Sequence, residues 1–287
     1  MIITITCNPA IDRNINESGE TFNVGGKGIN VSKVLKNIGV DSFTTGFIGK
    51  ENKDIIYEYL DHLGIRHSFI EIEGKVRVNT KRIIDHQLVE ENEKGPDVDE
   101  IAKRKLLAYC AGLKGEIVVI SGSAPGNVED DYYKRLIEVL KNNNNYVICD
   151  CDKGLLKRAV EAKPDVIKPN LEELKRLLKD NLNDEEIIEE VRKLGIDLAV
   201  ISMGDKGAVF IGEKVYKANA LDVNFVSPLG AGDAMVASLA YSKMMNLSYE
   251  ETVINAMAFG SAQVETEGSN PADKERIEYF KKKVVYG

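Results

Sequence analysis

The chain has 287 residues, 43% of them hydrophobic, and a formal net charge of −8, which is enough apolar material for a large core without a basic excess. No dense Lys/Arg block is present, so general binding to nucleic acid or to an anionic membrane is not expected, and small anions held by local groups remain. The longest apolar runs, such as Ile117–Ile120, are strand-sized, and Met1-Ile-Ile-Thr-Ile-Thr6 lacks the basic region and cleavage site of a signal peptide; a cytoplasmic protein with no membrane partner is expected. Cys7, Cys110, Cys149 and Cys151 lack paired C-x-x-C spacing and lie apart in sequence from His62, His67 and His86, so they read as buried free thiols. The G-x-x-x-x-G-K-[ST] phosphate loop is absent.

Residues 2–7 alternate and are β-branched, predicting a strand that Pro9 ends within Cys7-Asn-Pro-Ala-Ile-Asp12, with Asp12 at the strand end. After a polar excursion, Asn23-Val-Gly-Gly-Lys-Gly-Ile-Asn30 opens a helix with apolar Ile29, Val31, Val34, Leu35 and Ile38 and a stop at Gly39. Glycines around Lys27, with Asn30 one turn on, let backbone, ammonium and amide meet a polyhydroxylated or phosphorylated ligand; a plain glycine-rich turn is the alternative. A strand at Ser42–Phe47, a helix at about Asp54–Leu63 stopped by Gly64, and a strand at Ser68–Ile72 follow. Val76–Ile84 alternates and puts Arg77, Asn79 and Lys81 on one side, as a solvated face or an anion-reading edge. The charged run from Asp85 to Asp97 reads as a loop.

From Val98 a helix runs to about Ala111, and Ile117–Ile120 is a strand ending in Ser121-Gly-Ser-Ala-Pro125. A helix spans about Asp130 to Asn142; Tyr146–Cys149 is a buried strand ending at Asp150, and Asp165–Ile167 another ending at Lys168-Pro-Asn170. Polar residues thus recur at the C-terminal ends of strands, the edge at which open parallel sheets bind ligands. Asn170 and Glu173 read either as a capping box or as a pair facing a hydrated cation. A helix at Asn183–Leu194 stops at Gly195, and the strand Leu198–Ser202 leads through Ser202-Met-Gly-Asp-Lys-Gly207 into a hairpin of Ala208–Ile211 with Lys214–Lys217. Three helices close the chain, at about 231–245, 249–266 and 273–283. The first opens at Ser227-Pro-Leu-Gly-Ala-Gly-Asp233, where backbone N–H groups converge beside a helix N-terminus and Asp233 stands ready to take a proton; on those residues alone an ordinary turn is the simpler reading. No internal repeat or low-complexity linker occurs, so one domain over residues 1–287 is expected.

Taken in order, Gly25-Gly-Lys-Gly28 with Asn30, Lys168-Pro-Asn170 with Glu173, Ser202-x-Gly-x-x-Gly207 and Gly230-Ala-Gly-Asp233 resemble the ribokinase-like carbohydrate kinases. The branch they resemble is that of the B-type phosphofructokinases, which includes 1-phosphofructokinases and tagatose-6-phosphate kinases. The similarity runs from Asn8-Pro-Ala-Ile-Asp12 to the C-terminal helices. It implies an α/β fold, a Rossmann-like three-layer αβα domain with a small β lid from about 12–24 and 68–97, reduced because the interval from Asp12 to Gly25 is short. It also implies phosphoryl transfer from ATP, with Mg²⁺, to a sugar hydroxyl.

Residue by residue, Asp233 matches the family's catalytic base, and Gly230, Ala231 and Gly232 its anion hole. Asn170 and Glu173 match the magnesium motif; Lys168, Ser202, Gly204 and Gly207 match nucleotide-binding positions, and Asn255 a position beside adenine. Asp12, Gly26, Lys27, Asn30, Arg77 and Ser123 match positions that contact the sugar phosphate. Val76-Arg-Val-Asn-Thr-Lys81 resembles the branch's Thr-Arg-x-Asn-x-Lys, which implies a phosphorylated acceptor, fructose 1-phosphate first and tagatose 6-phosphate next. Pro228 is shared with some tagatose-6-phosphate kinases, and Val89-Glu-Glu-Asn92 partly matches the lid segment Thr-Glu-x-Asn. Family lids often pair, which implies a homodimer. A non-catalytic sensor of sugar phosphate or nucleotide on the same scaffold is the rival reading; a nicotinamide-dependent oxidoreductase ranks low, because Asn-Pro-Ala-Ile-Asp stands where G-x-G-x-x-G would follow the first strand.

Overall fold

The computed structural model describes residues 1–16, 19–84, 87–178 and 182–287. In chain order its first half contains β1 (Ile2–Thr6), β2 (Ala10–Asn16), β3 (Gly19–Gly25), α1 (Lys27–Asn37), β4 (Ser42–Gly49), α2 (Lys53–His62), β5 (Arg66–His67), β6 (Ile70–Ile72), β7 (Arg77–Ile84), β8 (Gln87–Asn92), α3 (Glu100–Gly112) and β9 (Ile117–Ser121). The second half adds α4 (Tyr132–Asn142), β10 (Tyr146–Asp150), α5 (Lys153–Ala159), β11 (Val166–Ile167), α6 (Leu171–Leu177), α7 (Asp184–Lys193), β12 (Leu198–Ser202), β13 (Ala208–Ile211), β14 (Val215–Ala218), α8 (Ala231–Met244), α9 (Tyr249–Gln263) and α10 (Lys274–Lys281).

Alternation along the apolar strands decides the layering. Ile3 and Ile5 of β1, Val118 and Ile120 of β9, and Val147 and Cys149 of β10 enter one core with α3, α4, α5, α6 and α7. Their neighbours Ile2, Val119 and Ile148 enter a second core with α1, α8, α9 and α10. Strands buried on both faces need helices on both sides, and the result is a three-layer αβα body. The main sheet runs β14-β13-β12-β11-β10-β9-β1-β4-β5, with β6 also paired to β4. From β12 to β5 its pairs are parallel, so the strands end at one edge. α8 is small or apolar on every side from Ala234 to Ala240 because it is packed between α1 and α9 under the sheet.

The second sheet, β3-β2-β7-β8, is the lid. Its apolar row, Val24, Ile11 and Val78, is seated on Ile56 and Leu60 of α2. Two features depart from the sequence reading. Gln87–Asn92, read as loop, is a strand; a six-residue segment so rich in polar residues carries no apolar run to announce it. Asp12 does not stand at the end of β1 but inside β2, where Pro9 has separated a second strand from the first. Ile70–Ile72, within the interval expected for the lid, pairs with β4 of the main sheet. The four cysteines are free and buried. Among the described residues no helix is long and apolar enough to cross a membrane.

Candidate active site

The C-terminal ends of the parallel strands open beneath the lid on a cavity of about 1020 Å³. Behind its wall, under the lining residues Lys27 and Lys168, is Asp150, the last residue of β10. Its neighbours Cys149 and Cys151 turn into the α3–α7 core, so the pleat sends the Asp150 carboxylate to the other side. The residue is 1% exposed. Lys27 Nζ, from the start of α1, stands 3.3 Å from Asp150 Oδ2, and Lys168 Nζ, just past β11, stands 3.4 Å from Oδ1. Burial alone would raise this carboxyl, but Lys168 and Lys27 outweigh it and hold Asp150 below the ordinary carboxylate range. Burial likewise opposes the Lys27 charge, and Asp150, Asp233 and Glu173 more than restore it.

Asp233 lies in the first turn of α8 and is 6% exposed. Burial, with the negative charge of Asp150, pushes its carboxyl up to about 6, against the pull of Lys27, Asn30 and Lys168. Asn30 Nδ2 of α1 donates to Asp233 Oδ2 at 2.8 Å, so the packing of α1 on α8 orients the carboxylate. Gly230, with φ 79°, is the left-handed residue that starts the helix. Gly230, Ala231 and Gly232 line the cavity at the first turn, whose N–H groups have no intrahelical acceptors; that of Ala231 donates to the Pro228 carbonyl at 3.5 Å. A Cβ on Gly232 would stand 3.1 Å from Lys168 Nζ, so the missing side chain lets the ammonium approach the loop.

Two ends of the cavity differ in character. At the lid end, Asn79 Nδ2 donates to Asp12 Oδ1 at 2.9 Å. At the other end the wall is apolar, with Leu221, Val223, Phe225, Met257 and Val264, beside the turn of Ser202, Gly204 and Gly207. Between them Asn170 and Glu173 form a reciprocal capping box on α6: Asn170 Oδ1 accepts from the Glu173 amide and Glu173 Oε2 from the Asn170 amide, each at 2.8 Å. Both line the cavity.

The family model for pfkB family carbohydrate kinases matches residues 1–276. The chain belongs to the pfkB family of carbohydrate kinases. It is 34% identical to a 1-phosphofructokinase of Borreliella burgdorferi over 91% of each chain. Among solved structures it is similar to a possible 1-phosphofructokinase of Thermotoga maritima, with 26% identity, TM-score 0.88, and coverage of 100% of this chain and 99% of that one. Phosphofructokinase-2 of Escherichia coli shares the fold, with 23% identity, TM-score 0.90 and 98% coverage of both. The ribokinase-like three-layer fold read from the sequence is therefore the fold of this kinase, a phosphotransferase with a sugar hydroxyl as acceptor. Kinases of this family use ATP.

Within the kinase, Asp12, Lys27, Asn30, Lys168, Asn170, Glu173, Ser202, Gly204, Gly207 and the Gly230–Asp233 turn converge on one cavity, although they come from far-apart stretches of chain. Asn255 does not. It is buried, and its Nδ2 donates to Ser242 Oγ of α8 at 3.5 Å. Met257, which does line the wall, is about 200° further round the α9 helix, so the polar residue expected beside a nucleotide is on the wrong face. Gly26, Arg77 and Ser123 also stand off the cavity wall. Arg77 Nη2 donates to the Asn8 carbonyl at 3.2 Å, and Asn8 Nδ2 donates to Ser123 Oγ at 3.4 Å. The Lys81 side chain and residues Val89 and Glu90 lie outside the described side chains.

Sequence reasoning missed Asp150, Lys33 and Phe225. Asp150 ends a strand at the same edge as Ser121 and Lys168, and that placement was the available signal. Lys33, 2% exposed on α1, donates to Ser269 Oγ at 3.0 Å and lies 5.5 Å from the Tyr59 ring centre; burial pulls it down to about 8, against Asp12 and Asp233. Phe225 is 65% exposed outside any strand, which the period-two apolar spacing of Leu221, Val223 and Phe225 could have flagged.

Replacing Asp150 by Asn removes the anion between two lysines. The expected result is a loss of about 3–5 kcal/mol in unfolding free energy by urea denaturation, as for other broken buried pairs. The negative charge that helps raise Asp233 is also lost, so carboxyl titration of Asp233 followed by NMR is expected to move to lower pH.

Proposed function

We propose that this kinase transfers the γ-phosphoryl group of ATP to a free hydroxyl of a ketohexose phosphate, with fructose 1-phosphate as the first acceptor and tagatose 6-phosphate next. The observation that carries the mechanism is Asp233, buried at a helix N-terminus, oriented by Asn30 and flanked by the Gly230–Gly232 amides. A carboxyl that titrates at about 6 is ionised at neutral pH and is still a stronger base than an ordinary aspartate. Asp233 Oδ accepts the acceptor's hydroxyl proton as that oxygen bonds to the γ-phosphorus. The bond from phosphorus to the ADP oxygen breaks, and its electron pair leaves with ADP. The loop amides, with Lys168 beside them, meet the charge on the transferring oxygens.

ATP then lies along the far half of the cavity, with its base at the apolar Leu221–Phe225 end and its phosphates toward Lys168. Among the described residues no cluster of three acidic, histidine or cysteine ligands exists, so a metal cage made by protein alone does not fit. A hydrated Mg²⁺ does fit, because such an ion keeps its waters and needs only one carboxylate besides phosphate, and Glu173, with Asn170 next to it, would hold it. When bound, the ion supplies charge neutralisation at the β- and γ-phosphates.

A phosphate on the acceptor is supported by the name of the Borreliella relative, a 1-phosphofructokinase. The homodimer would pair through the lid's edge strand β3, which carries the exposed Phe22. Sedimentation at the mass of one chain would contradict that pairing. The acceptor is tested by coupled ADP release with fructose 1-phosphate, tagatose 6-phosphate and fructose 6-phosphate. Turnover is expected to be highest with the first. Turnover with free sugars or nucleosides alone would overturn the phosphorylated acceptor.

A further inference from the structure

The lid register lines up one polar residue from each of its strands. Asn23 of β3 is opposite Asp12 of β2, Asp12 lies beside Asn79 of β7, and Asn79 is opposite Asn92 of β8. All four line the cavity, while the adjacent row of Val24, Ile11 and Val78 faces the apolar cluster on α2. The pleat therefore presents a strip of three amides and one carboxylate to whatever lies under the lid.

The chemistry of that strip is constrained. A carboxylate only accepts, so the Asn79 amide nitrogen turns to Asp12, and its oxygen is left buried without a partner among the described residues. Asn30 repeats the arrangement across the cavity, with its nitrogen on Asp233 and its oxygen equally unpartnered. Buried amide oxygens of this kind call for O–H donors. Strands stand about 4.8 Å apart, so the strip runs about 14 Å, longer than one sugar ring. Asn23 flanks Asp12 on one side, and Asn79 and Asn92 extend along the other.

We propose that Asn23 and Asn92, with Asn79 between Asp12 and Asn92, are specificity-determining residues that read the hydroxyl configuration of the acceptor. Asn23 and Asn92 each carry a donor and an acceptor, and Asn79 keeps its oxygen, so an epimer with one hydroxyl turned away leaves an amide group unpaired and is rejected. This rests on the sugar-phosphate reading of the acceptor.

The test compares wild type, Asn23→Ala and Asn92→Ala on fructose and tagatose phosphates, epimers at one carbon, each carrying phosphate where wild type accepts it. In at least one variant, kcat/KM for the preferred epimer is expected to fall about tenfold, the cost of one lost hydrogen bond, and for the other epimer clearly less. KM for ATP and the melting temperature stay unchanged. Equal loss for both epimers, or no change in either variant, would overturn the proposal. Should wild type turn over only unphosphorylated sugars, the phosphorylated-acceptor reading fails, and the same ratio measured on fructose against tagatose decides the role of the strip.

Discussion

A carboxylate taken out of water stays charged only where cations meet it, and Asp150 meets two. That constraint ties together three parts of the chain: Lys27 at the start of α1, Lys168 after β11, and β10 itself. It holds two lysines, Lys27 and Lys168, in the lining of the cavity. It also sets the environment of Asp233, because the charge on Asp150 is one of the two causes that raise the Asp233 carboxyl. Structure and chemistry meet in this one buried group: the ion pairs fix where the lysines stand, and their field fixes how basic the neighbouring carboxylate is.

The cavity has a repeated device. Asp233 on α8 and Asp12 on the lid are each held by an asparagine amide, Asn30 and Asn79. Each asparagine in turn keeps a buried oxygen for a donor from outside. On the proposed reading, a polyol acceptor between them would satisfy both. The apolar far end, with Phe225 and Met257, offers no such pairing and suits a flat base instead.

The main sheet was legible because its strands are short β-branched runs bounded by turns, and β1, β9, β10 and β12 fall where Ile, Val and Leu alternate into two cores. The lid was harder to see. β2 and β8 carry Asp, Asn and Glu, so composition alone made Gln87–Asn92 a loop and put Asp12 at the end of β1. α5, seven residues long after Cys151, offered too few turns to show a helical period. The glycine loops and Asp233 were readable from local sequence. Asp150 was not, since its role depends on Cys149 and Cys151 facing the core on either side of it. Asn255 is the matching case: α9 borders the cavity through Met257, Gly260 and Ser261, but Asn255 itself does not line it.

Asp233 is proposed as a general base whose strength comes from burial beside Asp150. The most direct test is kcat/KM for the phosphosugar against pH, in wild type and in Asp233→Asn, with ATP saturating. In wild type, activity is expected to rise about tenfold per pH unit below a midpoint of about 6, because the base must be ionised, and to level off above it. The variant is expected to lose about 10²–10⁴-fold and to lack that rise. A wild-type profile that is flat from about pH 5 to about pH 8, or an Asp233→Asn enzyme that keeps both its rate and the rise, would contradict the account.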